Sequence, residues 1–329
     1  MNGSVSADLV LRRRAIRWLL LCTVFWALSF PTMKALALTQ EAILPGTGSW
    51  FISSLSVMYR FLIAGVILIC LSFKELKTIT RREVEQGLWL ALFTTVGMSL
   101  QMDGLAYTSA STSAFMTMLY CIWIPLWVAV SHRRFPSIKI MVCGVLVLGG
   151  MAVLMRLNLF AIRLGRGEIE TLSASVVFAA QILTLAHRRY AGNRPQCFTA
   201  VLLLAAGIFT LPIVVATAPS LAACFQVYAS VPACGLMVII VLFCTLVSFM
   251  LMSRWQFRVT ATEAGLIYCS EPLFVSAMAL VLPGWFSQWT GLDYPNEHLT
   301  TRLLIGGALI TGANMLLQSR WLETKRAVA

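Results

Sequence analysis

Long apolar runs, nearly free of charge, follow one another along almost the whole chain, and they decide what it can fold into. A helix needs roughly 20 such residues to cross a bilayer. Ten runs of that kind can be marked off, at 18–38, 50–73, 86–107, 109–131 and 138–155, then 168–187, 197–216, 232–256, 261–283 and 303–321. Strands of a membrane barrel would be shorter and would alternate in polarity, which these runs do not. Of the 329 residues, 59% are hydrophobic and 12% charged, about half the charged share of a soluble domain. The predicted fold class is an all-α membrane protein of ten transmembrane helices, with too little chain outside the spans for a soluble domain.

The stretch "LRRRAIRWLLLCTVFWALSF" has the basic and apolar parts of a secretory signal, and "ALA" at 35–37 has the small residues of a cleavage site. Its apolar run is longer than a signal core, and Lys34 stands just before that site. The reading adopted is therefore a first membrane span.

The net charge of +12 is explained by its placement. Counting the loops, 19 of the 25 Lys and Arg residues fall on one side: Arg12–Arg17, Lys74–Arg82, Arg133–Lys139, Arg188–Arg194, Arg254 with Arg258, and Arg320–Arg326. The other side has Arg163 and Arg166, with Arg156 and Arg302 at span ends. Short loops rich in Lys and Arg stay cytoplasmic, so both termini are predicted cytoplasmic, in the cell's inner (plasma) membrane. The basic clusters act as topology determinants with some attraction for anionic lipid; a nucleic-acid partner is not implied.

The nine cysteines form no Cys-x-x-Cys pair, and most fall within spans, where Cys behaves as a small hydrophobe. Cys224 and Cys234 are expected to stay free. No metal site and no cofactor is implied.

The charge map divides the chain near 156–167, with five spans on each side. An odd number per half inserts the second half upside down, the arrangement of inverted-repeat transporters. The expected organisation is an N-terminal tail (1–17), a five-helix repeat (18–156), a second (167–321) and a C-terminal tail (322–329). The fourth and ninth runs support it: "YCIWIPLW" and "YCSEPLF" share Tyr-Cys and a following proline. The fifth and tenth share a glycine pattern, Gly144 with Gly150 and Gly306 with Gly312, of the kind that lets helices approach closely.

Taken in order, six segments resemble the EamA-like branch of the drug/metabolite transporter superfamily over nearly all of 18–321. They are "VFWALSFPTMKALAL", with Ala27 where the family has glycine; "YRFLIAG", carrying Arg60; "GLAYTSASTSAFMTMLYCIWIPLW" followed by "RRFPS"; "GEIETLSASVVFAAQILTLAHRRY", with Glu168 at an acidic position; "TATEAGLIYCSEPLF"; and "NEHLTTRLLIGGALITGANMLLQ", with Asn296 in a glycine position. The resemblance implies two inverted five-helix repeats around a central cavity and export of small metabolites, amino-acid-like compounds or drugs. It does not select one substrate.

Ionisable groups inside a span are costly and usually face the bundle interior. Lys34, Arg60 and Glu271 are the three that stand well inside these runs. By residue count Arg60 and Glu271 lie near mid-bilayer, and Glu271 is expected to be neutralised by Arg60 or by Lys34, either as a fixed ion pair or as a substrate- or proton-binding group. Polar stripes at helical spacing add Gln101 on the third span and Gln181 on the sixth. Trp26, Tyr120, Trp123 and Tyr268 are deep enough to be cavity walls, and aromatic walls with a few polar groups suit a small amphipathic molecule. Pro31, Pro125 and Pro272 each remove a backbone bond within a run and are the hinge candidates.

No nucleophile elbow, zinc-protease helix or phosphate loop is present, so an intramembrane enzyme is the weakest reading. A channel would need charged rings or a filter loop, and a scaffold would need larger loops. The function expected is a secondary transporter working by alternating access, driven by its substrate's gradient or by protons, with the small-molecule substrate and the lipid bilayer as its partners.

Overall fold

The computed structural model describes residues 2–131, 138–154, 164–259, 264, 267, 268 and 270–318. The basic residues Arg133, Arg134, Arg156, Arg163, Arg320, Lys325 and Arg326, the start of the ninth run and the C-terminal tail lie outside the described residues. Among the described residues the structure is helical without strands. Five stretches are long and apolar enough to cross a membrane: Leu11–Ile43, Ser49–Leu71, Arg166–Leu185, Pro195–Thr217 and Val231–Arg258. Shorter apolar stretches occupy Ala110–Ile124, Met141–Gly150 and Thr301–Ala313.

Helix α1 (Asn2–Ile43) runs unbroken through the expected tail and through Pro31. It is followed by α2 (Ser49–Leu71), the one-turn α3 (Phe73–Leu76) and α4 (Arg81–Tyr107). The fourth run is two helices, α5 (Ala110–Thr117) and α6 (Tyr120–Ser131), and α7 (Ile138–Leu154) closes the first half. The second half has α8 (Arg166–Leu185), α9 (Pro195–Thr217), the one-turn α10 (Ala223–Gln226) and α11 (Val231–Val241), which continues through a π-turn at Leu242–Val247 into α12 (Ser248–Trp255). The last elements are α13 (Glu271–Ala279), α14 (Leu282–Thr290) and α15 (Thr301–Gln318).

Two expectations are corrected here. Pro272 stands in the first turn of α13, where its missing N–H costs nothing, just after a turn at Ser270 that follows helical residues 267 and 268. Residues 282–290, expected as span end and aromatic loop, form a helix that exposes Trp285 and Trp289, buries Pro283 and Phe286, and ends at Gly291 with φ of 73°.

α2 packs along α9, α4 along α8 and α9, α7 along α15, and α1 against α11, α12 and α13. Glycines make two of these approaches possible. A Cβ on Gly104 would stand 2.8 Å from the Gly167 carbonyl, and one on Gly150 would stand 2.8 Å from that of Gly306. Gly144 and Gly312 of the same sequence pattern face open space. Cys224 and Cys234 are free thiols, donating to the carbonyls of Ser220 and Tyr228.

Polar clusters tie the two ends of the bundle. At the basic end, Arg194 donates from Nε to Glu83 Oε1 (2.7 Å) and from Nη2 to Glu83 Oε2 (2.9 Å), while Thr80 and Glu83 form a capping box at the start of α4. This hydrogen bonding by Arg194 holds the Glu83 carboxyl down at about 2. At the opposite end Arg166 bonds Asp103, Glu170, Tyr107 and Ser49, joining α2, α4 and α8.

Candidate functional site

A cavity of about 90 Å³ lies at mid-depth between α1, α2, α4, α8, α12 and the ninth run. Its walls include seven of the residues picked out from sequence: Trp26, Arg60, Gln101, Tyr120, Gln181, Tyr268 and Glu271. On α8 its lining runs from Phe178 to Leu185 and on α12 it takes Phe249 and Met252, so the space extends from the middle toward the basic end.

Arg60 enters from the middle of α2 and is 3% exposed. Its guanidinium donates from Nε to Thr245 Oγ1 (2.5 Å), from Nη1 to Ser29 Oγ (3.2 Å) and Met33 Sδ (3.1 Å), and from Nη2 to the Cys244 carbonyl (2.8 Å). The π-turn explains two of these partners. Widening to i→i+5 bonding displaces carbonyls from the regular ladder, and Thr245 Oγ1 itself bonds back to the Ile240 carbonyl at 2.8 Å. Every acceptor of Arg60 among the described residues is neutral, so its positive charge is solvated by dipoles rather than cancelled.

Glu271 is 6% exposed in the first turn of α13, where the helix N-terminus favours a carboxylate. The expected ion pair is absent: among the described residues no salt bridge joins Glu271 to Arg60 or Lys34. The cavity therefore holds one buried cation and one buried carboxylate that do not meet. Aromatic faces share the cavity wall with them, with Trp26 and Tyr268 ring centroids 5.2 Å apart, Trp26 and Phe249 6.4 Å apart, and the Tyr268 hydroxyl donating to Gln256 Oε1 at 2.8 Å. Gln101 Nε2 donates to Thr117 Oγ1 at 2.9 Å, which fixes the amide across the cavity from α5.

Two candidates belong elsewhere. Lys34 lies toward the end away from the basic loops and donates to the Thr108 carbonyl, with Glu297 the acid that acts on it. Trp123 donates to Ser175 Oγ at 2.9 Å and ties α6 to α8 outside the lining. Pro31 leaves α1 continuous, Pro125 lies within α6, and the chain breaks instead at Met118–Leu119.

Residues 13–156 match the EamA-like transporter family. That match covers most of the first half of the chain. The match ends where the charge map divides the two halves. A solved structure described only as the crystal structure of a protein has 16% sequence identity and a TM-score of 0.59, covering 94% of this chain and 99% of its own. That likeness extends the shared fold over both halves. No curated protein matches the sequence. The EamA-like half, together with the apolar helices, points to a multi-pass membrane protein.

Sequence reasoning missed Asp103, whose side chain is fully buried against Arg166, and Glu170, which Arg166 Nε reaches at 2.8 Å. The signal was an acid within the apolar run "LQMDGLAY" and an Arg–Glu pair at i,i+4 spacing. Phe178, Phe249 and Met252 carry no mark in the sequence that separates a cavity wall from ordinary core.

Proposed function

We propose that this EamA-like protein is a secondary transporter that exports a small amphipathic solute, an amino-acid-like metabolite or a drug, by alternating access. The observation that carries the reading is the mid-depth cavity with Arg60 and Glu271 buried but unpaired among aromatic faces. Leaving two opposite charges desolvated and apart is costly, and a solute bearing both polar and apolar groups offsets that cost when bound. Glu271, without an ion-pair partner among the described residues, is the group that exchanges a proton during the cycle.

The same reading makes the bundle ten transmembrane helices in two inverted five-helix repeats. The helix pairings support this, because they survive exchange of the halves. α2 with α9 and α7 with α15 are pairs of equivalent helices, α1 with α11–α12 matches α8 with α4, and α1 with α13 matches α8 with α5–α6. Both termini are cytoplasmic and the membrane is the cell's inner membrane. The cavity reaches toward the basic end, so the conformation described is the inward-facing one.

The test is reconstitution in liposomes and a counterflow screen of a mixed metabolite pool. Protein-dependent exchange of at least one amphipathic solute is expected. A folded protein that exchanges none of the pool would overturn the proposal.

A further inference from the structure

We propose that α5 is the outer gate of the pathway, hinged at Met118–Leu119 and held shut by Glu297 and Lys34. The inference rests on the transporter reading for its purpose, and on three observations for its place. First, α5 separates two spaces. Its outer end borders a polar vestibule of about 630 Å³ lined by Ser109, Ser111, Thr112, Glu297, His298 and Arg302, while its inner end contributes Thr117 to the mid-depth cavity. Eight residues of helix, about 12 Å at 1.5 Å per residue, are all that divides them along this helix.

Second, the helix is broken where a hinge is needed. Leu119 N–H bonds to the Met116 carbonyl, Cys121 N–H to Met118 and Ile122 N–H to Leu119, all i→i+3 bonds that replace the α-helical ladder. Thr117 Oγ1 bonds back to the Ser113 carbonyl at 2.9 Å, a pattern that bends helices. Third, the outer end is latched by groups from elsewhere in the chain. Ser111 donates its N–H (3.3 Å) and its hydroxyl to the two oxygens of Glu297, and Lys34 of α1 donates to the Thr108 carbonyl just before the Ser109 N-cap. Glu297 is fixed in turn by its own N–H on the Ala279 carbonyl at the end of α13 (2.9 Å). The latch thus ties α5 to both α1 and α13, the elements that carry Trp26 and Glu271 in the cavity wall.

The Arg166 cluster at the same end is built differently. Beside it the backbones of α4 and α8 touch at Gly104 and Gly167, a contact that leaves no room to slide. α5 has no such glycine clamp on α4 or α8; its Phe115 ring seats on Gly307 of α15, a contact that swings clear as the helix tilts.

The test places a thiol at the inner end of α5 with T117C and measures its labelling from outside cells by a membrane-impermeant maleimide, read site by site by mass spectrometry. Adding E297Q and K34M together is expected to raise the labelling rate at position 117 at least tenfold, and an unchanged rate in the folded variant would overturn the gate. A second arm joins S111C to E297C with a short bis-methanethiosulfonate. Counterflow should fall at least tenfold and return on reduction, whereas full activity in the cross-linked protein would also overturn it. If the unmodified chain moves no solute, the labelling arm still decides the gate, and only the transporter reading falls.

Discussion

Glu271 and Arg60 sit in one cavity but differ in how they are held, and single substitutions should separate them. Arg60 donates four hydrogen bonds among the described residues, so Arg60→Gln strands several acceptors and should destabilise the fold by about 2–4 kcal/mol. Glu271 has no ion-pair partner among the described residues, and Glu271→Gln removes a buried charge. Its melting temperature in detergent should hold or rise; a marked fall would show that the carboxylate has a structural partner. Both residues were legible as charges in apolar runs, but their separation was not, because pairing depends on side-chain direction, and that is decided by the π-turn and the start of α13. Outside the spans, Glu83→Gln should cost about 1–3 kcal/mol at neutral pH. The folded carboxyl value, about 2, lies below the ordinary 4.5. The contribution is therefore complete above about pH 4.5 and is lost as pH falls toward about 2. Melting curves of the two proteins should converge over that window and run parallel above it.

At the scale of elements, hydropathy and charge located several spans closely, such as α2 and α9, because burial in lipid imposes one strong requirement on each span, although α1 begins at Asn2 rather than at 18. What it left illegible were breaks inside a run. Pro272 looked like an interruption and is a helix start; the real interruption of the fourth run falls at Met118–Leu119, where no proline or glycine marks it. Helix α14 was missed because its Pro-Gly opening and paired tryptophans read as loop. Close helix contacts give a sharper prediction. Gly104→Ala brings a Cβ to 2.8 Å from the Gly167 carbonyl and 2.9 Å from Thr171 Oγ1, and overpacking of that kind costs about 1–3 kcal/mol. Gly144→Ala meets nothing within 4 Å and should leave thermal stability unchanged.

For the whole molecule, the two halves meet around a space that opens toward the basic end and is shut by polar contacts at the other. Seven of nine candidate residues converge there because depth along a span, which sequence counts well, fixes which side chains share a level. Lys34 and Trp123 fall outside because the face of a helix is not fixed by depth. In the proposed cycle this cavity carries solute and proton together. The most direct measurement is flux of an exchanged solute into proteoliposomes under an imposed pH gradient, for the natural protein and for Glu271→Gln. The natural protein should accumulate solute with the gradient, and Glu271→Gln should keep counterflow but lose gradient-driven accumulation at least tenfold. Equal accumulation by both proteins would contradict the claim.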